Sequence, residues 1–566
     1  MKEKQKTKSV QSEGLDRLIL SKEVILKRNS EKEKNVRNVL VVGMPGCGKT
    51  RGFFKPNLLE KTTGDIVVHD PTEELLETCG HALKEAGYTI KVLNLSNFSQ
   101  SDHYNPFMYF TFSNKEKCKL AKDITDEDLT ENGFTVSDLD VMAFVDTLID
   151  YSRTYRGDKN PFWDRANQLL LITLVYYMFE NFPVRKWNFK SLLKLLQDYT
   201  KRQYYNRSNG DPSVLEHEIN EWEYGKFVLK DGKKINLTLS DRAYRRSMLG
   251  SVSPQPSKEE LEAKIREEYE RDYTEEERKN HIIDSDGYVR MKSWVNEYGI
   301  TVHTANKSSM GIKSWNMLIR SVDIERTLPR IVLEVSTLLS VFNIHDVESI
   351  ICDDTMHLEQ IGIDKKLSDG TKENRNEKIA WFVCYNINCR DLSLLIRMFF
   401  TQAMNMVTLN AENNNGVCSY PVDFFIDEMQ MLEKIPHFDF FIRQCKKMNC
   451  GINMSLFSIE SLKFIYPDEV DSILDSLDCV VAMRTSSRIT AEYLVKWIGQ
   501  HINPFELYHT DKSLCYVVPI QQNDVKTICG HVYEIKNHPR YTSLYERISR
   551  ENQPQKQYKH VPNLNK

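Results

Sequence analysis

Asn38-Val39-Leu40-Val41-Val42-Gly43-Met44-Pro45-Gly46-Cys47-Gly48-Lys49-Thr50 is the stretch that decides the fold. It opens as an apolar β-type run. Gly43 to Thr50 then fit G-x-x-x-x-G-K-[ST] without a mismatch, and a helical pattern follows. That strand–loop–helix context is what a phosphate-binding loop requires. Gly43, Gly46 and Gly48 let the backbone bend so that its N–H groups face inward. Those groups and the helix N-terminus attract phosphate oxygens. Lys49 is expected to place its ammonium on the β- and γ-phosphates of ATP, and Thr50 to offer its hydroxyl to Mg²⁺. Pro45, Cys47 and Arg51 complete the expected nucleotide-binding set.

A second run supplies the metal-side acid. Pro421-Val422-Asp423-Phe424-Phe425-Ile426-Asp427-Glu428 is a hydrophobic strand ending in two acids, the Walker B form. A buried strand of this kind delivers Asp427 to the shell of the Mg²⁺ ion, through water, and Glu428 can polarise an attacking water. Together the two runs predict a nucleotide site built from residues far apart in the chain.

The bulk composition sets bounds around that site. A chain of 566 residues is too long for one compact core and predicts several units. It is 40% hydrophobic and 28% charged, which is ordinary for a globular protein. A net charge of −4 excludes general polyanion binding, so nucleic-acid contact must use a local basic surface or a pore. Lys201-Arg202 and Arg242/Arg245/Arg246 are the local basic spots. The 12 cysteines show no zinc-ligand spacing and read as buried thiols of a reducing cytoplasm. Cys47 has two readings: a helix N-terminus beside it would lower its thiol pKa and open redox control, or it is a small residue placed for packing, which is the preferred reading. Residues 1–14 carry no apolar signal segment, and the longest apolar run, Leu169–Phe179, falls short of the ~20 residues a membrane helix needs. No transmembrane segment is predicted.

Along the chain, residues 1–37 are Lys/Glu-rich and read as a partly disordered segment, with apolar clusters at Leu15, Leu18–Leu20 and Val24–Leu26. Strands at Val39–Val42, Ile66–His69 and Ile90–Leu95 then alternate with helices over 49–60 and 72–86, which predicts a parallel, doubly wound sheet. From 128 to 345 the pattern is helical: 137–152, 162–181, 188–199, 258–279 and 326–343. Phe162, Ala166, Leu169, Leu170, Ile172, Thr173, Tyr176 and Tyr177 form the core face of the second of these. A polar lobe spans 205–310, broken by Asn209-Gly210, Asp231-Gly232 and Pro254/Pro256; within it Leu261, Ile265, Tyr269 and Tyr273 stripe a charged helix. Strand signals return at Ile379–Tyr385, Val422–Ile426, Ile452–Phe457, Cys479–Met483 and Leu514–Val518, with helices between them. The organisation read is therefore a nucleotide-binding domain, 38–127 and 346–548, interrupted by an inserted all-α domain, 128–345, and followed by a polar tail, 549–566.

The passages around the motifs carry a family resemblance. "NVLVVGMPGCGKTRGFFKPNLLE" (Asn38–Glu60), "GDIVVHDPTEELLETCGHALKEAGYTIKVLNL" (Gly64–Leu95), "SDHYNPF" (Ser101–Phe107), "NPFWDRANQLLL" (Asn160–Leu171), "VDFFIDEMQMLEKIPHFDFFIRQCKK" (Val422–Lys447) and "HPRY" (His538–Tyr541) follow in order. They closely resemble the type IV secretion coupling proteins, the TraG/TraD-like conjugation ATPases, in the form found in Gram-positive conjugative elements. The resemblance covers about 38–545 and is weak over 200–310. It implies a RecA-like P-loop NTPase sheet with an inserted all-α domain, a homo-hexameric ring, and ATP-driven delivery of a relaxase-bound DNA strand, single or double, to the channel of the secretion system. It also implies an arginine that reaches the neighbouring subunit's nucleotide, and a glutamine that senses the γ-phosphate. The matching positions here are Lys446 and Phe457; Arg443, and Ser455 or Ser458, are the substitutes on hand. Lysine keeps the charge and loses the planar fork, while phenylalanine cannot hydrogen-bond phosphate. After the second strand the family's Asp-Pro-Lys-Gly-Glu is Asp70-Pro71-Thr72-Glu73-Glu74. Family members usually begin with transmembrane helices. Their lack here implies either a soluble version or a cytoplasmic protein held at the inner face of the membrane by an anchoring partner.

Two other readings stay open. One is a nucleotide-gated adaptor that hands substrates to the channel with weak or no hydrolysis, favoured by Lys446 and Phe457. The other is a different hexameric RecA-like motor, such as a partition or packaging ATPase.

Overall fold

The strand ahead of the phosphate loop lies in the middle of a nine-stranded sheet. In this computed structural model the described residues are 17–27, 36–130, 132–156, 160–200, 213–238, 245, 256–305, 309–324, 326–363, 365–366, 372–373, 377–385, 392–498, 503–520 and 527–541. The chain divides into two units, Met1–Asp102 with Thr355–Lys566, and His103–Asp354.

The first unit holds the sheet. Its elements are strands β1 (Arg17–Ile19), β2 (Ile25–Lys27) and β3 (Val39–Val42), helix α1 (Lys55–Glu60), β4 (Asp65–Asp70), α2 (Glu74–Glu85) and β5 (Tyr88–Asn94). After the other unit follow β6 (Lys378–Cys384), α3 (Ser393–Glu412), β7 (Val422–Ile426), α4 (Phe438–Gln444), β8 (Cys450–Leu456), α5 (Ile459–Ile465), β9 (Cys479–Ala482), α6 (Arg488–Ile498), β10 (Leu514–Pro519) and β11 (Ile528–His531). The order across the sheet is β11-β10-β9-β3-β8-β7-β4-β6-β5. From β9 to β5 all neighbours are parallel; β10 and β11 close one edge antiparallel. Strands β3, β4 and β7 are buried along their whole length. That explains their Val, Leu, Ile and Phe content on both faces, since a parallel sheet covered on both faces has no polar side to alternate with. This is the expected RecA-like sheet. One strand, β8, separates the strand that leads to Lys49 from the strand that leads to Asp427. Strand β6 slots between β4 and β5, so the second half of the chain completes the sheet begun by the first.

The second unit starts at His103 and ends at Asp354, where the sequence reading drew 128 and 345. Its early start has a packing reason: Phe107, Phe110 and Phe112 pack with Phe144, Phe179 and Trp187 in one aromatic core, mostly edge to face. The Tyr104 N–H donates to the Ile350 carbonyl at 2.7 Å, tying the two ends of the unit together. Helix Pro161–Asn181 is buried nearly all round, except that Phe162, read as part of its core face, is 46% exposed. The unit is helical at its core, and it also carries short antiparallel strands that the all-α reading missed. Thr111–Ser113, Cys118–Leu120 and Thr135–Val136 form one three-stranded ribbon; Lys226–Phe227, His281–Ile283 and Val289–Met291 form another inside the polar lobe. The charged helix Lys258–Asp272 does not stand alone in solvent. Ile265 and Tyr269, with Tyr273 just beyond it, pack on a small core of Val228, Leu237 and Val289.

The charged N-terminal segment is only in part what the sequence suggested. Residues 1–16 and 28–35 lie outside the described residues, as do Lys201, Arg202, Arg242, Arg246 and the tail 549–566. Residues 17–27 form the hairpin β1–β2, with Leu18, Ile19 and Leu20 buried. The hairpin is held by Asn57, which accepts from the Ile19 N–H at 2.7 Å and donates back to the Ile19 carbonyl at 2.8 Å. At the end of α1, Glu60 receives Arg17 at 2.5 Å from the N-terminal side and His538 at 2.8 Å from the C-terminal side. Arg540 donates to the carbonyls of Leu59 and Lys61, which closes the helix C-terminus. The "HPRY" run thus caps the helix that follows the phosphate loop.

Burial pushes the Glu60 carboxyl up, and the hydrogen bonds from His538 and Arg17 outweigh it and hold its pKa down to about 2. A lowered folded-state pKa stabilises the fold above the ordinary value of 4.5, and the contribution is lost as pH falls toward 2. Glu60→Gln is expected to cost about 2 kcal/mol at pH 7. In denaturant titrations at stepped pH, the gap between wild type and variant closes as the solution is acidified below 4.5.

Candidate nucleotide-binding site

The loop after β3 is shaped by its glycines. Gly46 and Gly48 take φ of 75° and 96°, left-handed values that favour glycine. Gly43 is demanded by space, since a Cβ there would lie 2.7 Å from Cys47 Sγ and 2.8 Å from Met483 Cβ. The loop is anchored by N–H donations from Gly43 to the Leu456 carbonyl at 3.1 Å and from Met44 to the Arg484 carbonyl at 2.8 Å. Thr50–Phe54 then wind as a wide π-type turn into α1. Pro45 and Arg51 are exposed at the rim.

Lys49 is buried, and its ammonium folds onto the loop, donating to the carbonyl of Gly43 at 2.8 Å. Its Nζ also lies 4.6 Å from the centre of the Phe457 ring. Burial pushes the Lys49 pKa down, opposed by the negative charges of Asp427 and Glu428 among others. Thr50 Oγ1 donates to Asp427 Oδ2 at 2.5 Å, across 377 residues of chain. The other carboxylate oxygen, Oδ1, accepts from Ser455 Oγ at 2.6 Å. The Glu428 N–H donates to the same Ser455 hydroxyl at 2.8 Å. Burial pushes both acids up; the hydrogen bonds from Ser455 and Thr50 and the charge of Lys49 oppose this at Asp427, whose own charge raises Glu428 further. Glu428 lines a cleft of about 310 Å³ with Thr72, Glu73, Ser96, Tyr385 and Met431.

The site residues expected on the loop and at the end of β7 therefore converge: Gly43 to Thr50 on one side, Asp427 and Glu428 on the other. A hydroxyl and a carboxylate oxygen meeting at one point are the hard-oxygen donor set that suits Mg²⁺. Together with the loop N–H groups and Lys49, these residues fit ATP·Mg²⁺. Lys446 lies elsewhere, just before β8, whereas the phosphate loop follows the far end of β3. There it forms an ion pair with Asp478 at 2.5 Å, and Asp478 in turn accepts the N–H groups of Arg37 and Asn38 at 2.9 and 2.8 Å. Arg443 bonds Asp439 at 2.9 Å on its own helix. Ser458 is taken up capping α5, accepting from Ser461 N at 3.2 Å. Asp70, at the start of the altered Asp-Pro run, is buried, accepts from the Leu76 N–H at 2.8 Å, and has its pKa pushed up by burial to about 6.

Three residues of the site were missing from the sequence-derived set. Ser455 was noted only as a substitute for glutamine, and its place is as a clamp on Asp427. His69 and Tyr385 stand behind the acids: His69 Nδ1 is 2.5 Å from the Asp427 carbonyl and Nε2 is 2.8 Å from the Tyr385 hydroxyl. Burial drives the His69 pKa down to about 4. No local signal marks either residue, because both reach the site only through strand register.

A family model for the type IV secretory system, conjugative DNA transfer, matches residues 4–211 and 354–506, more than half of the 566 residues. The chain belongs to that family. No curated protein matches it. Among solved structures, this family member is similar to the plasmid coupling protein TrwB in complex with a non-hydrolysable ATP analogue, ADPNP, at 12% identity over 88% of this chain and 86% of that one, with a TM-score of 0.48. It is similar to TrwB in complex with ADP and Mg²⁺ at 12% identity, 89% and 87% coverage and a TM-score of 0.47. A further similar structure is VirB4 of Thermoanaerobacter pseudethanolicus, at 10% identity, 88% and 89% coverage and a TM-score of 0.37. Among the described residues no helix is long and apolar enough to cross a membrane.

Cys47 follows the packing reading rather than the redox one. Its thiol is buried against Met483 Sδ at 3.6 Å. Burial pushes its pKa up, and the nearby Lys49 charge and the loop N–H groups pull it back without prevailing. Cys47 should stay unmodified when native protein is treated with iodoacetamide at neutral pH, while the exposed Cys529 is alkylated. Peptide mass spectrometry reads the two sites separately.

Proposed function

We propose that the protein is an ATP-hydrolysing coupling protein that delivers a relaxase-bound DNA strand to the channel of a type IV secretion system. It would work as a homo-hexameric ring at the inner face of the membrane, docked through an anchoring partner. The observation that carries this reading is the Thr50–Asp427 contact at 2.5 Å, which sets the Walker B acid against the phosphate loop. ATP·Mg²⁺ would supply the transferable phosphoryl group and the Lewis-acid charge on its oxygens. Gly46, Gly48 and Lys49 bind the phosphates, Thr50 and Asp427 hold the metal shell, and Glu428 orients a water and accepts its proton. A carboxylate whose pKa is raised by burial is suited to that last task near neutral pH. Lys446 would reach the neighbouring subunit's phosphates after exchanging its Asp478 partner.

A second reading is favoured by a specific observation. The Phe457 ring packs on the Lys49 ammonium where a phosphate-sensing amide would stand, and Lys446 is engaged within its own chain. These support a nucleotide-gated adaptor with slow turnover.

Hydrolysis by purified protein with and without DNA separates the two. The motor predicts DNA-stimulated turnover that Lys49→Ala abolishes. Tight ATP binding with negligible turnover under both conditions selects the adaptor. In either case Phe457→Gln is expected to raise turnover by about tenfold or more, since one well-placed polar group commonly matters that much in a transition state.

A further inference from the structure

The peptide that joins Asp427 to Glu428 is pinned from both sides. Parallel register sets His69 of β4 beside Ile426 of β7 and Val383 of β6. From there the His69 ring, fully buried, reaches the Asp427 carbonyl with Nδ1 at 2.5 Å and the Tyr385 hydroxyl with Nε2 at 2.8 Å. A carbonyl only accepts, so Nδ1 carries the proton. In the neutral ring Nε2 is then the acceptor, and the Tyr385 O–H donates to it. On the opposite side of the same peptide, the Glu428 N–H donates to Ser455 Oγ at 2.8 Å.

Both supports matter because the turn is strained. Glu428 has φ of 53°, in the left-handed region, which costs a residue with a Cβ about 1–2 kcal/mol. A peptide in that state keeps its plane only if its surroundings over-determine it. A histidine is also an expensive filler for this space. Phe400 lies 5.7 Å from its ring centre, and an apolar side chain would occupy the pocket without needing two hydrogen bonds.

We propose that His69 is a positioning residue. Its Nδ1–H fixes the plane of the Asp427–Glu428 peptide and so sets the direction of the Glu428 carboxylate, while Tyr385 holds the ring in the required tautomer. This rests on the hydrolytic reading of Glu428 given above. His69 touches neither nucleotide nor water; it acts through the backbone of the acid that does.

The test compares His69→Leu, His69→Asn and Tyr385→Phe in the full chain. The Asn side-chain nitrogen occupies the place of Nδ1 and restores the donor. Affinity for a fluorescent ATP analogue and the single-turnover hydrolysis rate are measured on each, with thermal unfolding as a check that the variant folds. His69→Leu is expected to leave affinity within about threefold and to slow hydrolysis about 10²-fold, the effect of displacing a reacting group by roughly 1 Å. His69→Asn should return to within about tenfold of wild type, with Tyr385→Phe in between. In spectra of ¹⁵N-histidine-labelled wild type, the His69 ring should show the Nδ1–H tautomer. Equal impairment of the Leu and Asn variants, loss of affinity in step with hydrolysis, or an Nε2–H tautomer would each overturn the proposal. A wild type that turns over normally alongside an unimpaired His69→Leu removes this inference alone. A wild type with no turnover removes the hydrolytic reading and the inference together.

Discussion

Asp427 is gripped from two directions, by Thr50 on the phosphate loop and by Ser455 on β8. Everything proposed for the site depends on that grip. It exists only because β3, β8 and β7 are consecutive neighbours in the sheet and pair with matched ends: Leu456 opposite Val42, and Met454 opposite Ile426. A slip of one residue in either pairing would turn the Ser455 side chain to the other face.

Burial also places like and unlike charges close together. Lys49, Asp427 and Glu428 lie close enough for the charge of each to act on the others. Each would be costly alone, and each is compensated by a neighbour: Lys49 by carbonyls and an aromatic face, Asp427 by two hydroxyls. These groups thus hold one another in place. Phe457 fits this picture differently from a polar residue. Its ring stabilises the Lys49 ammonium by cation–π attraction, worth about 0.5–2 kcal/mol, and offers nothing to a phosphate.

Much of this was legible in the amino-acid sequence. The strands that became β3, β7 and β9, and the phosphate loop with Asp427, announce themselves by apolar runs and spaced glycines. The parallel sheet with its helical insert follows from their alternation. What stayed hidden has physical causes. His69 and Tyr385 are 316 residues apart and meet through register, which no local pattern records. The hairpin β1–β2 and the ribbons of the second unit are only two or three residues per strand, below the length at which periodicity can be read. The start of the second unit was placed late because Phe107, Phe110 and Phe112 precede any helix and declare their side only by packing. For Cys47, both the pull of a helix terminus and a packing role are legible in the sequence, and burial prevails in the structure.

Glu60 gathers both ends of the described chain onto one carboxylate, Arg17 from the beginning and His538 from the close. The helix it finishes is the one that starts at the phosphate loop. A pull on Arg17 or on His538 therefore acts on the helix that leads out of the phosphate loop. Trimming one end also loosens what the other end was holding.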